Sequence, residues 1–542
     1  EIRLSLVGSE MCIRDRFTSY SFIAFMTIVF VLYYLVPKSC QWPLLLVFSY
    51  IFYFIADPRY LIFILVTTIS TYLISLKMNQ INMAQDKFIK EFKGNLSREQ
   101  KKNYKSHMKH KKWIWLLICL FINIGILSVT KYTNFVIQNI NDILHGVSGL
   151  HTVNMIVPMG ISFYTFQTMG YIIDVYRGKQ SVEKNFFKLA LFVSFFPQLV
   201  QGPISRFHDL SETLFSKHYF ESNVVVSGLM RILWGYFKKV VIADRIITGV
   251  TTLIHSPSDY QGAYVFVAML FYAFELYCDF TGGIDITIGI AEVMGIRVTE
   301  NFNLPYFSKN IKEYWNRWHI TMGTWFTDYI FYPISVCKPM LNLSKFSRKH
   351  FGEVIGKRVT VYLSAFVVWF TTGLWHGAAW NFIVWGLMNF VVIMVSQELE
   401  PLYEKFHRRF SVKGKVPYEA FQILRTFLLM SCIRMFDCYR DVPLTFKMVG
   451  TMFTKFNIGE LFNGSLLSIG LSMADYIVLL VGFIVVFTVS LFKVRVGNVR
   501  TVLLQKPPIV YFGIMAVMIM LIIVFGAYGI GYDSSQFIYN QF

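Results

Sequence analysis

Two histidines sit where an imidazole needs a reason to be. The first lies in Glu313-Tyr-Trp-Asn-Arg-Trp-His319-Ile-Thr-Met-Gly-Thr-Trp-Phe-Thr-Asp328. At 100° per residue, one helix through this stretch would put His319 on a face with Trp315, Gly323 and Phe326, and Asp328 on the opposite side. An ionisable side chain in such a setting is a functional hypothesis by default. The alternative is an interfacial helix with a Trp/Tyr belt, in which His319 only hydrogen-bonds lipid headgroups. The second histidine lies in Thr371-Thr-Gly-Leu-Trp375-His376-Gly377-Ala-Ala-Trp380-Asn381, after an apolar helix expected to begin near Val359. Small residues at Gly373, Gly377 and Ala379 allow another backbone, or a narrow substrate, to approach closely. A desolvated, neutral imidazole there is poised as a general base; a structural histidine tying two helices together is the other reading.

Four acidic residues also lie in apolar context: Asp174, Glu275, Asp279 and Asp285. Asp279 and Asp285 flank Thr281-Gly-Gly283 in what reads as a broken helix. They can orient a histidine, line a proton path, or cap and pair helices, the last being the simplest reading. Gly282-Gly283 lacks the lysine and strand–helix context of a phosphate loop. No serine stands in a nucleophile-elbow pattern, and the seven scattered cysteines show neither metal spacing nor a disulfide framework.

The elements that must carry these residues are membrane helices. Of 542 residues, 55% are hydrophobic, 18% aromatic and only 15% charged, well below the roughly 25% charged residues of soluble domains. Phe17 to Val36, Leu61 to Leu76, Trp113 to Thr130, Val359 to Phe370, Tyr476 to Phe492 and Val510 to Phe525 are nearly free of charge. These and shorter runs predict an all-α polytopic protein with eleven to thirteen membrane segments. Segments 17–36, 42–56 and 58–76 form an N-terminal group. A middle block, about 113 to 300, is broken at Pro158-Met159-Gly160, Pro197 and Gly202-Pro203, breaks tolerated at membrane depth only around an interior cavity or other protein. Residues 300–395 hold the densest polar chemistry.

The net charge of +19 does not mark a nucleic-acid binder, because its basic residues fill the gaps between apolar runs. Lys77–Lys112 reads as a long basic loop, with smaller gaps at 338–358, 405–415 and 493–506. Basic loops face the cytoplasm, which puts the N-terminus outside if the first three segments all span. Anionic membrane lipid is the expected partner of these loops. Glu1–Arg16 is polar and begins without Met, and reads as a non-native leader ahead of a single membrane domain, 17–542.

Several stretches together resemble the membrane-bound O-acyltransferase family, in its bacterial branch of alginate O-acetylation proteins and their polysaccharide-modifying relatives. They are Phe17-Thr-Ser-Tyr-Ser-Phe, Pro158-Met-Gly-Ile-Ser-Phe-Tyr-Thr-Phe-Gln167, Asp174-Val-Tyr-Arg-Gly178 and Phe195-Phe-Pro-Gln-Leu-Val-Gln-Gly-Pro-Ile-Ser-Arg206. Asp279-Phe-Thr-Gly282, Asn301-Phe302, Tyr314 to Gly323 and Gly373-Leu-Trp-His-Gly-Ala378 complete the set. The chain departs from that pattern in Thr281-Gly-Gly-Ile-Asp285, where relatives commonly have a Ser-Gly-Tyr-Ser-Asp type of run, and in Thr327, often Arg.

The resemblance implies helices ringed around a funnel or tunnel, with His376 the essential histidine and His319 the second active-site position. Substrate contacts are then expected from Trp315, Arg317, Trp318, Trp375, Asn381 and Asp279, with the tryptophans excluding water. It implies no bound cofactor or metal, but a thioester co-substrate, acetyl-CoA or an acyl-carrier protein. The activity implied is O-acetylation of an extracytoplasmic polysaccharide or wall polymer, with an extracytoplasmic transferase partner, in a bacterial cytoplasmic membrane. D-alanyl transfer to teichoic acid is the rival within the family. A proton-coupled transporter or flippase, or a scaffold that only recruits a transferase, is the rival outside it.

Overall fold

The computed structural model describes residues 19–144 and 149–528. The expected leader 1–16, and Phe17-Thr18 of the first motif, lie outside them. Helices account for the regular structure, and no strand occurs among the described residues. Among the described residues, eight helices are long and apolar enough to cross a membrane, and Tyr20–Leu35 is apolar but shorter. That is fewer than the eleven to thirteen segments expected. The helix Val416–Tyr439, for example, is long enough but carries Arg425, Arg434 and Asp437.

The chain divides into two compact units, residues 1–225 with 291–299, and 226–290 with 300–542. In the first, Ser19 caps Tyr20–Leu35 by accepting from the Phe22 amide, and Gln41–Ala56 follows. Tyr60–Glu91 and Arg98–Ile143 then pack as a long hairpin. The expected basic loop is therefore mostly helix. Its Lys, Glu and Gln are good helix formers, and Ser97 and Gln100 start the second arm with a reciprocal capping box. The Pro158–Gly160 break is real: Gly160 adopts φ 70° at the start of Ile161–Arg177, and a side chain there would collide with the Leu199 carbonyl. The Phe196 amide donates to the Ser49 hydroxyl at 3.2 Å, tying the Pro197 turn to its neighbour.

Ala263–Val293, whose residues up to Ile290 belong to the second unit, is one continuous helix, so the break expected at Gly282-Gly283 does not occur. The glycine serves close helix approach instead. A Cβ on Gly282 would stand 2.9 Å from the Gly235 carbonyl oxygen, and one on Gly235 would stand 2.6 Å from that of Gly282. Gly235 belongs to the helix Ser222–Tyr236, which leads into a π-helical turn, Phe237–Ala243, that carries Lys238 and Lys239 into the interior.

Lys338–His376 spans 39 residues, with a kink at Gly352 (φ 86°), and ends on His376 itself. It packs closely against Trp380–Glu398. The expected role of the small residues holds here. A methyl group on Gly373 would collide with the Phe382 carbonyl, one on Gly377 with the Phe382 ring, and one on Gly386 with the Trp369 carbonyl. Gly373→Ala should therefore lower stability by about 1–3 kcal/mol, the usual range for overpacking. Thermal unfolding in detergent reads this out; an unchanged midpoint would mean that the helix hairpin has slack the contacts do not show.

Candidate active site

His319 does not lie on a continuous helix. Ile311–Arg317 ends, Trp318 is extended, and His319 takes a left-handed conformation (φ 48°, ψ 52°) before Ile320–Phe326 begins. The helix-face expectation, with Trp315, Gly323 and Phe326 on one stripe, is corrected accordingly. A non-glycine residue at positive φ is held there only by surroundings that over-determine it, and here Asn301 supplies them. Its backbone carbonyl accepts from the Ile320 amide at 2.9 Å. Its side-chain oxygen accepts from the Thr321 amide at 3.1 Å, from the Thr321 hydroxyl at 2.9 Å, and faces His319 Nδ1 at 3.3 Å.

That arrangement selects a tautomer. The Thr321 amide can only donate, so the Asn301 atom it meets is the carbonyl oxygen. His319 Nδ1 must then carry the proton, which leaves Nε2 as the basic nitrogen. His319 is 1% exposed and lies between two short helices, outside the spanning ones. Burial, and then the nearby Arg434 guanidinium, pull its pKa down to about 3, so the imidazole is neutral at physiological pH.

His376 ends its helix with its ring 4.7 Å from Trp385 and 5.0 Å from Trp375, edge to face in both cases. Trp375 also meets His319 at 6.0 Å. The two histidines thus share one indole, and Phe280 also packs edge to face on His319 at 5.1 Å. Sequence positions 57 apart are brought to one aromatic wall. The interfacial-belt reading of His319 does not fit a ring buried in this way.

The other expected site residues divide. Trp315, Trp318 and Trp375 belong to the wall: Trp315 packs on Trp369 and Trp385, and Trp318 stacks on Tyr314 and Tyr306. Arg317 is half-buried, pairs with Glu313 at 2.6 Å and reaches the Leu304 carbonyl at 3.4 Å, so it braces the loop before the site. Asn381 donates to the Phe436 carbonyl at 3.2 Å, joining two helices. Asp279 is fully buried and pairs with Lys239 at 2.5 Å, beside Asp244 on the same lysine at 2.7 Å. Its carboxylate has the helix-pairing role that the sequence made the simplest reading.

Arg434 went unnoticed in the sequence. Its guanidinium is buried over three indoles, 4.7 Å from the centre of Trp385, 5.2 Å from Trp318 and 5.7 Å from Trp315. Asp437 accepts from it at 2.9 Å. The available signal was an opposite-charge pair three residues apart inside an apolar run, which membrane energetics marks as purposeful. Lys238 and Arg231 were missed in the same way. They meet on Asp285 at 2.7 and 2.9 Å, and Arg231 also holds Glu300 at 2.6 Å. These groups, with Lys493, Tyr277 and Phe302, line a cavity of about 80 Å³.

The model of MBOAT, the membrane-bound O-acyltransferase family, matches residues 179–438, which include both histidines and Arg434. The probable alginate O-acetylase AlgI of Pseudomonas syringae pv. tomato is 30% identical over 463 residues, covering 84% of this chain and 78% of that protein. The probable alginate O-acetylases AlgI of Azotobacter vinelandii and Pseudomonas aeruginosa are each 31% identical and matched over 66% of their own length. The peptidoglycan O-acetyltransferase of Helicobacter pylori is 29% identical over 71% of this chain and 70% of its own. The teichoic acid D-alanyltransferase of Bacillus subtilis is 28% identical over 47% of this chain and 62% of its own.

Proposed function

Because this chain belongs to the membrane-bound O-acyltransferase family, we propose that it passes an acetyl group from a cytosolic thioester to a hydroxyl of an extracytoplasmic polysaccharide or wall polymer. The observation that carries the reading is the meeting of His319 and His376 on one buried indole. In this mechanism His376 takes the proton of the acceptor hydroxyl as that oxygen attacks the thioester carbon. Positioned proton transfer of this kind is worth about 10² to 10⁴ in rate. His319, neutral and with its proton committed toward Asn301, offers Nε2 as an acceptor. That favours positioning the hydroxyl over donating to the carbonyl oxygen. The surrounding indoles keep out the water that would hydrolyse the thioester.

The bacterial cytoplasmic membrane is the proposed location, with the basic segments, including the tips of the Tyr60–Ile143 hairpin, on the cytoplasmic side. There they meet anionic lipid and the donor enters. An extracytoplasmic transferase is the proposed partner for delivery to the polymer. Acetyl is preferred over D-alanyl because the O-acetylating relatives align over more of this chain than the D-alanylating one. The test offers the purified full-length protein labelled acetyl-CoA or a D-alanyl carrier-protein thioester, with alginate, glycan strands and teichoic acid as acceptors. Acetyl label in an alkali-labile ester is expected; ester label from the D-alanyl donor alone would reverse the preference.

A further inference from the structure

Resting on the acyl-transfer reading of the two histidines, we propose that Arg434 is the charge-stabilising residue of the reaction. Its guanidinium, anchored by Asp437, meets the negative charge that appears on the acyl carbonyl oxygen.

The two histidines leave that charge unattended. His319 has its proton on Nδ1, against Asn301, and a bare Nε2, so it has no N–H to aim at an oxyanion. His376 is occupied with the hydroxyl proton. A third group must therefore supply the donor. In a water-poor site a preorganised donor aimed at the developing charge is commonly the largest catalytic contribution.

Arg434 has the required properties. It is 6% exposed, and its charge stands 4.7 Å from the centre of Trp385, the same ring that His376 meets at 4.7 Å. Three indole rings stand within 6 Å of the guanidinium carbon, and cation–π attraction holds the charge among them. A guanidinium carries five N–H groups. Asp437 takes one at 2.9 Å and the Tyr314 hydroxyl is within hydrogen-bonding reach. The Nε–H has no acceptor among the described residues, and neither does Asp437 Oδ1 have a donor. Buried polar groups left this way call for an explanation. Stability does not supply one, since apolar side chains of similar volume often replace a buried Arg–Asp pair without loss.

The step balances without any further reagent. The hydroxyl oxygen bonds to the acyl carbon while its proton passes to His376, and the carbonyl π electrons move onto oxygen, opposite Arg434. Collapse re-forms the carbonyl and breaks the carbon–sulfur bond, and the departing thiolate takes the proton from His376. Asp437 keeps the guanidinium from repelling the transient imidazolium as strongly as a lone cation would.

The experiment uses the full chain in lipid nanodiscs, acetyl-CoA as donor and an alginate oligosaccharide as acceptor, and follows released thiol and unfolding temperature. Arg434→Met should lower kcat by about 10² to 10³, the loss typical of one oxyanion donor, with little change in the KM for acetyl-CoA. Arg434→Lys keeps the charge but not the planar fork and should recover part of the rate. In the double variant Arg434→Met/Asp437→Leu no charge is stranded, so stability should return to the wild-type level while kcat stays low. A double variant with wild-type kcat, or a loss carried wholly in KM, would overturn the role of Arg434. His376→Ala turning over at the wild-type rate would instead overturn the acyl-transfer reading beneath it.

Discussion

His376→Ala should leave a folded protein whose acyl transfer has fallen by about a thousandfold or more, within the 10² to 10⁴ that a positioned general base contributes. The expectation rests on place as much as on residue type. His376 is the last residue of its helix, and Gly377 departs in an extended conformation. The imidazole is pinned between Trp375 and Trp385, so water cannot readily take over its proton transfer. The substitution removes a ring from the edge of the indoles without touching the glycine contacts between Lys338–His376 and Trp380–Glu398, so folding should survive. Unfolding temperature measured beside activity separates the two effects. A variant that transfers label as fast as wild type would remove His376 from the chemistry.

Lys239→Met should act in the opposite sense, on stability first. Lys239 is buried and answers Asp244 at 2.7 Å and Asp279 at 2.5 Å, with Glu275 one helical turn from Asp279. Removing the cation strands the carboxylates in a low-dielectric interior, and breaking a buried pair in this way costs about 3–5 kcal/mol. A large drop in unfolding temperature, or failure to accumulate in the membrane, is expected. Lys239→Met combined with Asp244→Leu and Asp279→Leu should recover much of that loss, because no charge is then left alone. An unchanged unfolding temperature in the single variant would show that water reaches the cluster.

Much of this site was legible in the sequence, and the part that was not has a physical reason. His376 at the end of an apolar helix, with glycines opening the way for its neighbour, follows from hydropathy and residue size, and both hold. His319 was found as a residue but not as a geometry. No Gly or Pro stands between Glu313 and Gly323 to announce a break, and the left-handed turn is imposed by Asn301, 18 positions earlier. Gly282-Gly283 misled in the other direction. Glycine pairs serve helix breaks and close helix approach alike, and only the partner, Gly235, tells which. Arg434, Lys238 and Lys239 were hidden inside apolar runs whose averages conceal single charges. Reading each buried charge as a question about its counter-charge would have found Asp437 three residues away, though not that Asp279 and Asp285 answer Lys239 and Lys238.

The most direct test of acyl chemistry at the histidine pair uses proteoliposomes of the full-length protein supplied with labelled acetyl-CoA and a polysaccharide acceptor. Wild-type protein should place label in an alkali-labile ester on the acceptor, and His376→Ala should place about a thousandfold less or lower still. Label or acceptor that crosses the vesicle wall with no ester formed would contradict the account and leave a transporter in its place.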